Sequence, residues 1–250
     1  MPDAERYDPD YYAVRYGTDG LKRFSQHWWA TRFYAGLADQ QLRRIGGRRL
    51  LEVGCGVGYL LAMLEDRYET CGLDISPHAI EQCRRFAPRS RCAVADFEQG
   101  LPPELALGTF DVVVAKYVLE HLRSPQAALA GMRTLLRPGG VLIFAVPNTA
   151  SLGARWKGSA WYADPTKDPT HCSLLAPERW RELTRAAGLT IRRETADGFW
   201  DVPYVSWLPR LVQSAVFLPP TILACLLARP VLPARWGENI IIFAERPGTD

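Results

Sequence analysis

Leu50-Leu51-Glu52-Val53-Gly54-Cys55-Gly56-Val57-Gly58-Tyr59-Leu60 changes its pattern part-way along. Residues 49–53 form an apolar run suited to a strand, Gly54, Gly56 and Gly58 permit a tight turn, and beyond Gly58 the apolar spacing becomes helical. The reading is strand, glycine turn, helix. Glycine lets the backbone come close to a ligand, and the N–H groups of the first helical turn offer that ligand a positive end. A nucleotide-type cofactor is therefore the first expectation. The dinucleotide fingerprint requires glycine at its first, third and sixth positions, whereas the sixth position counted from Gly54 is Tyr59.

The 250 residues are 48% hydrophobic and carry a formal net charge of +3. A chain of this kind buries a sizeable core and fits one α/β domain with additions better than two domains. We divide it into an N-terminal helical lid (1–47) and a main domain (48–250) with an apolar insert at 200–236. Lys and Arg are scattered rather than clustered, so no nucleic-acid partner is expected. The first six residues lack the basic start and apolar core of a secretion signal, and the expected location is cytoplasmic. The six cysteines form no Cys-x-x-Cys pair and have no histidines at zinc-finger spacing, so reduced thiols and no metal are expected.

From 48 to 148, strand and helix patterns alternate, which implies a parallel sheet with helices on both faces. The second strand ends in Asp74, and Ser76-Pro77 follows as N-cap and first helical residue. An acid at that edge lies beside the glycine turn, where it can accept hydrogen bonds from a ribose diol. Asp96-Phe97 follows a third strand, with Asp96 equally suited to capping a turn on its own backbone. The run 110–116 is β-branched and apolar, ending in Lys116 and leading to Tyr117-Val118-Leu119-Glu120-His121. A helix at 125–137 ends in Leu136-Arg137-Pro138-Gly139-Gly140 before a strand at 141–146.

The run Glu52-x-Gly54-x-Gly56-x-Gly58 resembles motif I of the class I S-adenosylmethionine-dependent methyltransferases, and Leu-Arg-Pro-Gly-Gly resembles that family's turn into strand five. Signatures match in order over about one hundred residues. The resemblance implies an α/β, doubly wound seven-stranded sheet of order 3-2-1-4-5-7-6 with strand seven antiparallel. It also implies S-adenosylmethionine as cofactor, with S-adenosylhomocysteine as product. Glu52, Gly54, Cys55, Gly56, Gly58 and Lys116 would then belong to the cofactor site. Asp74 would hold the ribose, Ile75 one adenine face, Asp96 the adenine amine, and Phe97 the ring. Tyr7-Asp8-Pro9-Asp10-Tyr11-Tyr12 resembles the segment with which small-molecule methyltransferases close over their cofactor.

Outside this core the chain is more particular. All eight tryptophans lie there, as an aromatic or apolar acceptor pocket would require. Tyr12, Tyr117, Trp156 and Trp161 are the candidate acceptor contacts. The loop 149–176 is long enough to be functional and carries Asp168-Pro169-Thr170-His171. The insert 200–236 has no charge from Leu211 to Ala228, and its Pro219-Pro220 predicts two short helices. These would form a core-packed cap first, a peripheral membrane contact through 204–232 second, or else a partner surface.

Methyl transfer needs alignment and exclusion of water more than a nucleophilic residue, but a hydroxyl acceptor benefits from a base. His171, with Asp168 nearby to orient it, and His121 are the candidates. The chain looks most like the small-molecule branch that includes the ubiquinone-pathway O-methyltransferases. A hydrophobic or aromatic small-molecule acceptor, methylated on oxygen, is the expected substrate. The rival readings are a nicotinamide-dependent dehydrogenase and a non-catalytic, cofactor-binding scaffold at a membrane or protein. The oligomeric state is left open.

Overall fold

In the computed structural model, which describes residues 7–8, 11–12, 21–100 and 109–248, the alternating pattern becomes one seven-stranded sheet. Pro9, Asp10 and most of the proposed lid before residue 21 lie outside the described residues. The elements are α1 (Gln26–Arg44), β1 (Arg49–Val53), α2 (Tyr59–Leu64), β2 (Glu69–Asp74), α3 (Pro77–Phe86), β3 (Arg91–Val94) and β4 (Phe110–Lys116). They continue with α4 (Pro125–Leu135), β5 (Leu136–Pro147), α5 (Leu152–Lys157), α6 (Pro177–Ala186), β6 (Thr190–Ala196), α7 (Arg210–Leu227) and β7 (Asn239–Glu245).

The strand order is β3-β2-β1-β4-β5-β7-β6. Glu52 of β1 lies between Gly72 and Val114 in parallel register, whereas Ile241 of β7 lies antiparallel between Ala145 and Thr195. Because side chains alternate along a strand, successive β4 residues enter opposite layers. Val112 and Val114 meet α1, α2 and α3, while Val113 and Ala115 meet α4 and α6. Trp180 of α6 is fully buried in the second layer. Each such large apolar side chain contributes about 1.5–3 kcal/mol when removed from water.

The predicted turn Leu-Arg-Pro-Gly-Gly is the first part of β5, with Gly139 at φ +74° and its N–H bonded to the Arg246 carbonyl at 2.8 Å. The loop 149–176 contains the short α5. The insert departs most from expectation, since α7 is one helix rather than two, with Pro219 and Pro220 inside it. Each proline removes an N–H bond and crowds the preceding turn. The helix is held across that break by side chains on its inner face. Gln213 Oε1 accepts from the Tyr204 N–H at 2.7 Å, Thr221 Oγ1 accepts from the Phe199 N–H at 2.7 Å, and Ala224 and Cys225 enter the core.

Candidate active site

The carboxyl ends of β1, β2 and β4 converge on a cleft of about 180 Å³. Gly54, Gly56 and Gly58 all have positive φ, a region that side chains avoid. At Gly54 a Cβ would stand 2.2 Å from Val118 Cγ2, so the turn requires glycine for space as well as conformation. Asp74 fastens this turn, accepting from the Gly56 N–H at 2.7 Å through Oδ2 and from the Ser76 N–H at 3.0 Å through Oδ1. Burial raises its carboxyl above the usual range, while these donors and the Tyr12 hydroxyl act in the opposite sense.

Gly54, Gly56, Asp74, Ile75, Asp96, Phe97 and Lys116 line the cleft. Cys55 and Gly58 pack behind the turn, where Gly58 lies against Cys83 and Cys55 against Gly72. Asp96 also caps the 3-10 turn Phe97–Gln99, accepting from the Glu98 N–H at 3.0 Å. Tyr12 is placed in this cleft, donating to Asp74 Oδ1 at 3.0 Å, and it does not line the neighbouring cavity where an acceptor contact was expected.

Glu52 is buried, and its Oε2 has no hydrogen-bond partner among the described residues. Burial raises its carboxyl well above the carboxylate range, with the Lys116 ammonium opposing, and burial correspondingly lowers Lys116. The Lys116 Nζ stands 5.5 Å from the ring centres of both Tyr34 and Tyr117. Glu52, expected among the cofactor contacts, lines neither this cleft nor the cavity beside it; its unpartnered carboxyl oxygen, two residues before Gly54, suits a cationic or N–H-bearing ligand group, as the amino acid end of a sulfonium nucleoside provides.

A second cavity of about 540 Å³ adjoins the cleft, and Lys116, Tyr117 and His121 line both. His171, Glu120, Asp168, Tyr162 and Trp200 belong to the second cavity. His171 Nδ1 is 2.9 Å from the Ala163 carbonyl, which can only accept, so Nδ1 carries a proton and Nε2 is the nitrogen left for proton exchange. The Asp168 Oδ2 faces that Nε2 at 3.6 Å. The orientation expected of Asp168 therefore comes from Ala163, and Asp168 opposes the nitrogen that would gain a proton. His121 Nδ1 is held by Thr170, 2.9 Å from Oγ1 and 3.2 Å from the carbonyl. The two imidazole centres lie 4.8 Å apart. Donor atoms of Glu120, His121 and His171 all lie within 4.8 Å of one another, a grouping able to hold a metal ion. Spacing rules pointed to no metal because these donors come from two separate loops.

Under this cavity lies a buried network invisible to sequence patterns. Asp197 Oδ2 accepts from Asn239 Nδ2 at 2.6 Å and from the hydroxyls of Tyr34 at 3.2 Å and Tyr117 at 3.3 Å. Tyr117 adopts φ +58°, a strained conformation for a non-glycine residue. Trp156 and Trp161, expected to contact acceptor, line neither cavity. Trp156 is half-exposed beside Tyr204 and Phe217, and Trp161 is buried with its Nε1 donating to Glu238 Oε2 at 2.9 Å. The apolar part of the insert also stays outside, because only Trp200 and Asp201 of residues 200–236 reach the second cavity.

A sheet of order 3-2-1-4-5-7-6 with its last strand reversed, an acidic glycine turn after β1 and an acid closing β2 together define the class I methyltransferases, whose cofactor is S-adenosylmethionine. Residues 26–194 match the family described as a methyltransferase domain, and the chain belongs to that family. The ubiquinone biosynthesis O-methyltransferase of Cereibacter sphaeroides (strain KD131 / KCTC 12085) is 34% identical over 153 residues, covering 57% of this chain and 60% of that protein. The chain thus matches about 60% of that relative's length.

Among solved structures, magnesium protoporphyrin IX methyltransferase of Synechocystis PCC 6803, with bound S-adenosylhomocysteine, is similar over 98% of both chains, at TM-score 0.64 and 17% identity. The (4+2)-cyclase SpnF is similar over 99% of this chain and 96% of its own, at TM-score 0.63 and 20% identity. Those two likenesses show the fold; the function has to be argued from the site.

Proposed function

We propose that the chain transfers a methyl group from S-adenosylmethionine to a hydroxyl oxygen of a small, hydroxylated aromatic acceptor. The observation that carries this reading is the shared wall, Lys116, Tyr117 and His121, between the cofactor cleft and a larger cavity containing His171. When bound, the cofactor supplies an electrophilic methyl whose thioether leaves as the new O–C bond forms. Charged and polar side chains such as Glu120, Asp168 and Asn239 share the second cavity with Tyr117, Tyr162 and Trp200, whose rings offer faces for a flat ring. That lining favours an aromatic acceptor bearing hydroxyls over a purely apolar one. His171 takes the hydroxyl proton on Nε2, the Ala163 carbonyl holds its ring, and Asp168 stabilises the imidazolium. The O-methyltransferase named among the relatives supports oxygen as the acceptor atom.

The test is methyl transfer from isotopically labelled S-adenosylmethionine to mono- and dihydroxylated aromatic compounds, with products identified by mass spectrometry. O-methylated products support the proposal. N- or C-methylated products, or no turnover by protein that binds S-adenosylhomocysteine, refute its acceptor half. Failure to bind S-adenosylhomocysteine refutes it altogether.

A further inference from the structure

Helix α7 is inside out. Its polar side chains Gln213 and Thr221 are buried against the protein, while Leu211, Val216, Ile222, Leu223, Leu226 and Leu227 face outward. Leu211 is 83% exposed and Val216 62%. A helix on a water-facing surface shows the reverse arrangement. The 18-residue helix is apolar enough to cross a membrane by length and composition, but its inner face is bonded along its length into the surrounding loops and core. It therefore lies along the molecular surface, about 27 Å long.

We propose that the outward face of α7 seats on an anionic lipid bilayer, parallel to the membrane plane. The flanks identify the occupant. Between residues 202 and 237 the only charges are three arginines, Arg210, Arg229 and Arg235, all exposed, at the two ends of the apolar face. Trp207, 79% exposed, and Trp236, 41% exposed, accompany them. An apolar strip ending in arginine and tryptophan matches the acyl boundary, the anionic headgroups and the interfacial level where indole rings settle. A second copy docking through the same face would bring arginines together with no acid on the segment to pair them. This inference does not rest on the choice of acceptor.

The experiment is sedimentation of the full chain with vesicles of phosphatidylcholine, alone or mixed with phosphatidylglycerol. We expect binding to the mixed vesicles, weakened by salt, and a roughly tenfold loss for Leu211→Glu and again for Leu226→Glu. Calorimetric titration with S-adenosylhomocysteine, unchanged in both variants, confirms that they are folded; Leu223→Gln serves if either fails that check. Equal vesicle binding by the variants overturns the proposal. So does a lack of vesicle binding, whether the protein is monomeric by light scattering or forms a dimer that Leu211→Glu dissociates.

Discussion

Asp74 fastens the glycine turn through Gly56 and Ser76 and lines the cleft at the carboxyl edge of the sheet. Asp74→Ala should weaken S-adenosylhomocysteine binding about ten- to a hundredfold, the loss of charge-assisted hydrogen bonds to a ribose, measured by calorimetry. It should also lower the melting temperature, because two buried N–H groups lose their acceptor. Tyr12→Phe removes one donor and should cost only about 0.5–1.5 kcal/mol. His171→Gln should abolish most turnover while leaving S-adenosylhomocysteine affinity intact; parallel losses of both would make His171 a structural residue. The place of Asp74 at a strand end beside the glycine turn was legible in the sequence because it follows from the end of its own strand, whereas its bond to Gly56 was not read. Asp197 was not, since its partners Tyr34, Tyr117 and Asn239 are brought to it only by the closing of the sheet.

At the scale of elements, Glu238 joins three segments just before β7. It accepts from Trp161 in the loop after β5 and from the Tyr204 hydroxyl in the insert, at 2.9 and 2.5 Å, and Gly153 of α5 packs against it. Burial raises its carboxyl from 4.5 to about 7, with those two donors opposing. Between these values the folded chain holds a proton that the unfolded chain has released, so this residue's contribution to stability declines as pH rises from about 4.5 to about 7 and is level above. The full decline amounts to about 3–4 kcal/mol. Glu238→Gln should flatten that part of a denaturant-derived stability profile; an unchanged slope would exclude Glu238 as its source. The insert shows why elements were read less well than residues. Pro219-Pro220 is a strong local stop signal, overridden by anchors at Gln213 and Thr221 to the segment 199–208 that folds back along the helix it precedes. The tryptophans mislead for a related reason, as composition cannot distinguish rings that line a cavity from rings that join a loop to the sheet.

For the whole molecule, ligand binding and folding are linked. S-adenosylhomocysteine at about a hundred times its dissociation constant should add about 2.7 kcal/mol to stability and raise the melting temperature, whereas a nicotinamide dinucleotide should leave it unchanged. A shift with the dinucleotide instead would reopen the dehydrogenase reading. The sheet order was foreseen through the family resemblance, whose signatures recur at strand ends in sequence order; each signature by itself reports only its own turn. The second cavity and the wall it shares with the cleft were not, since that cavity is assembled from 26–31, 116–121, 162–171 and 200–201 together.

The placement of β7 also bears on how the protein is made. Strand β6 has its strand-long pairing only with β7, and β7 also covers the open side of β5. During synthesis, β5 and β6 therefore emerge from the ribosome with unpaired edges and wait for residues 239–245 before the sheet can close. A nascent chain stalled before Asn239 would expose two sticky strand edges and be a natural client for chaperones.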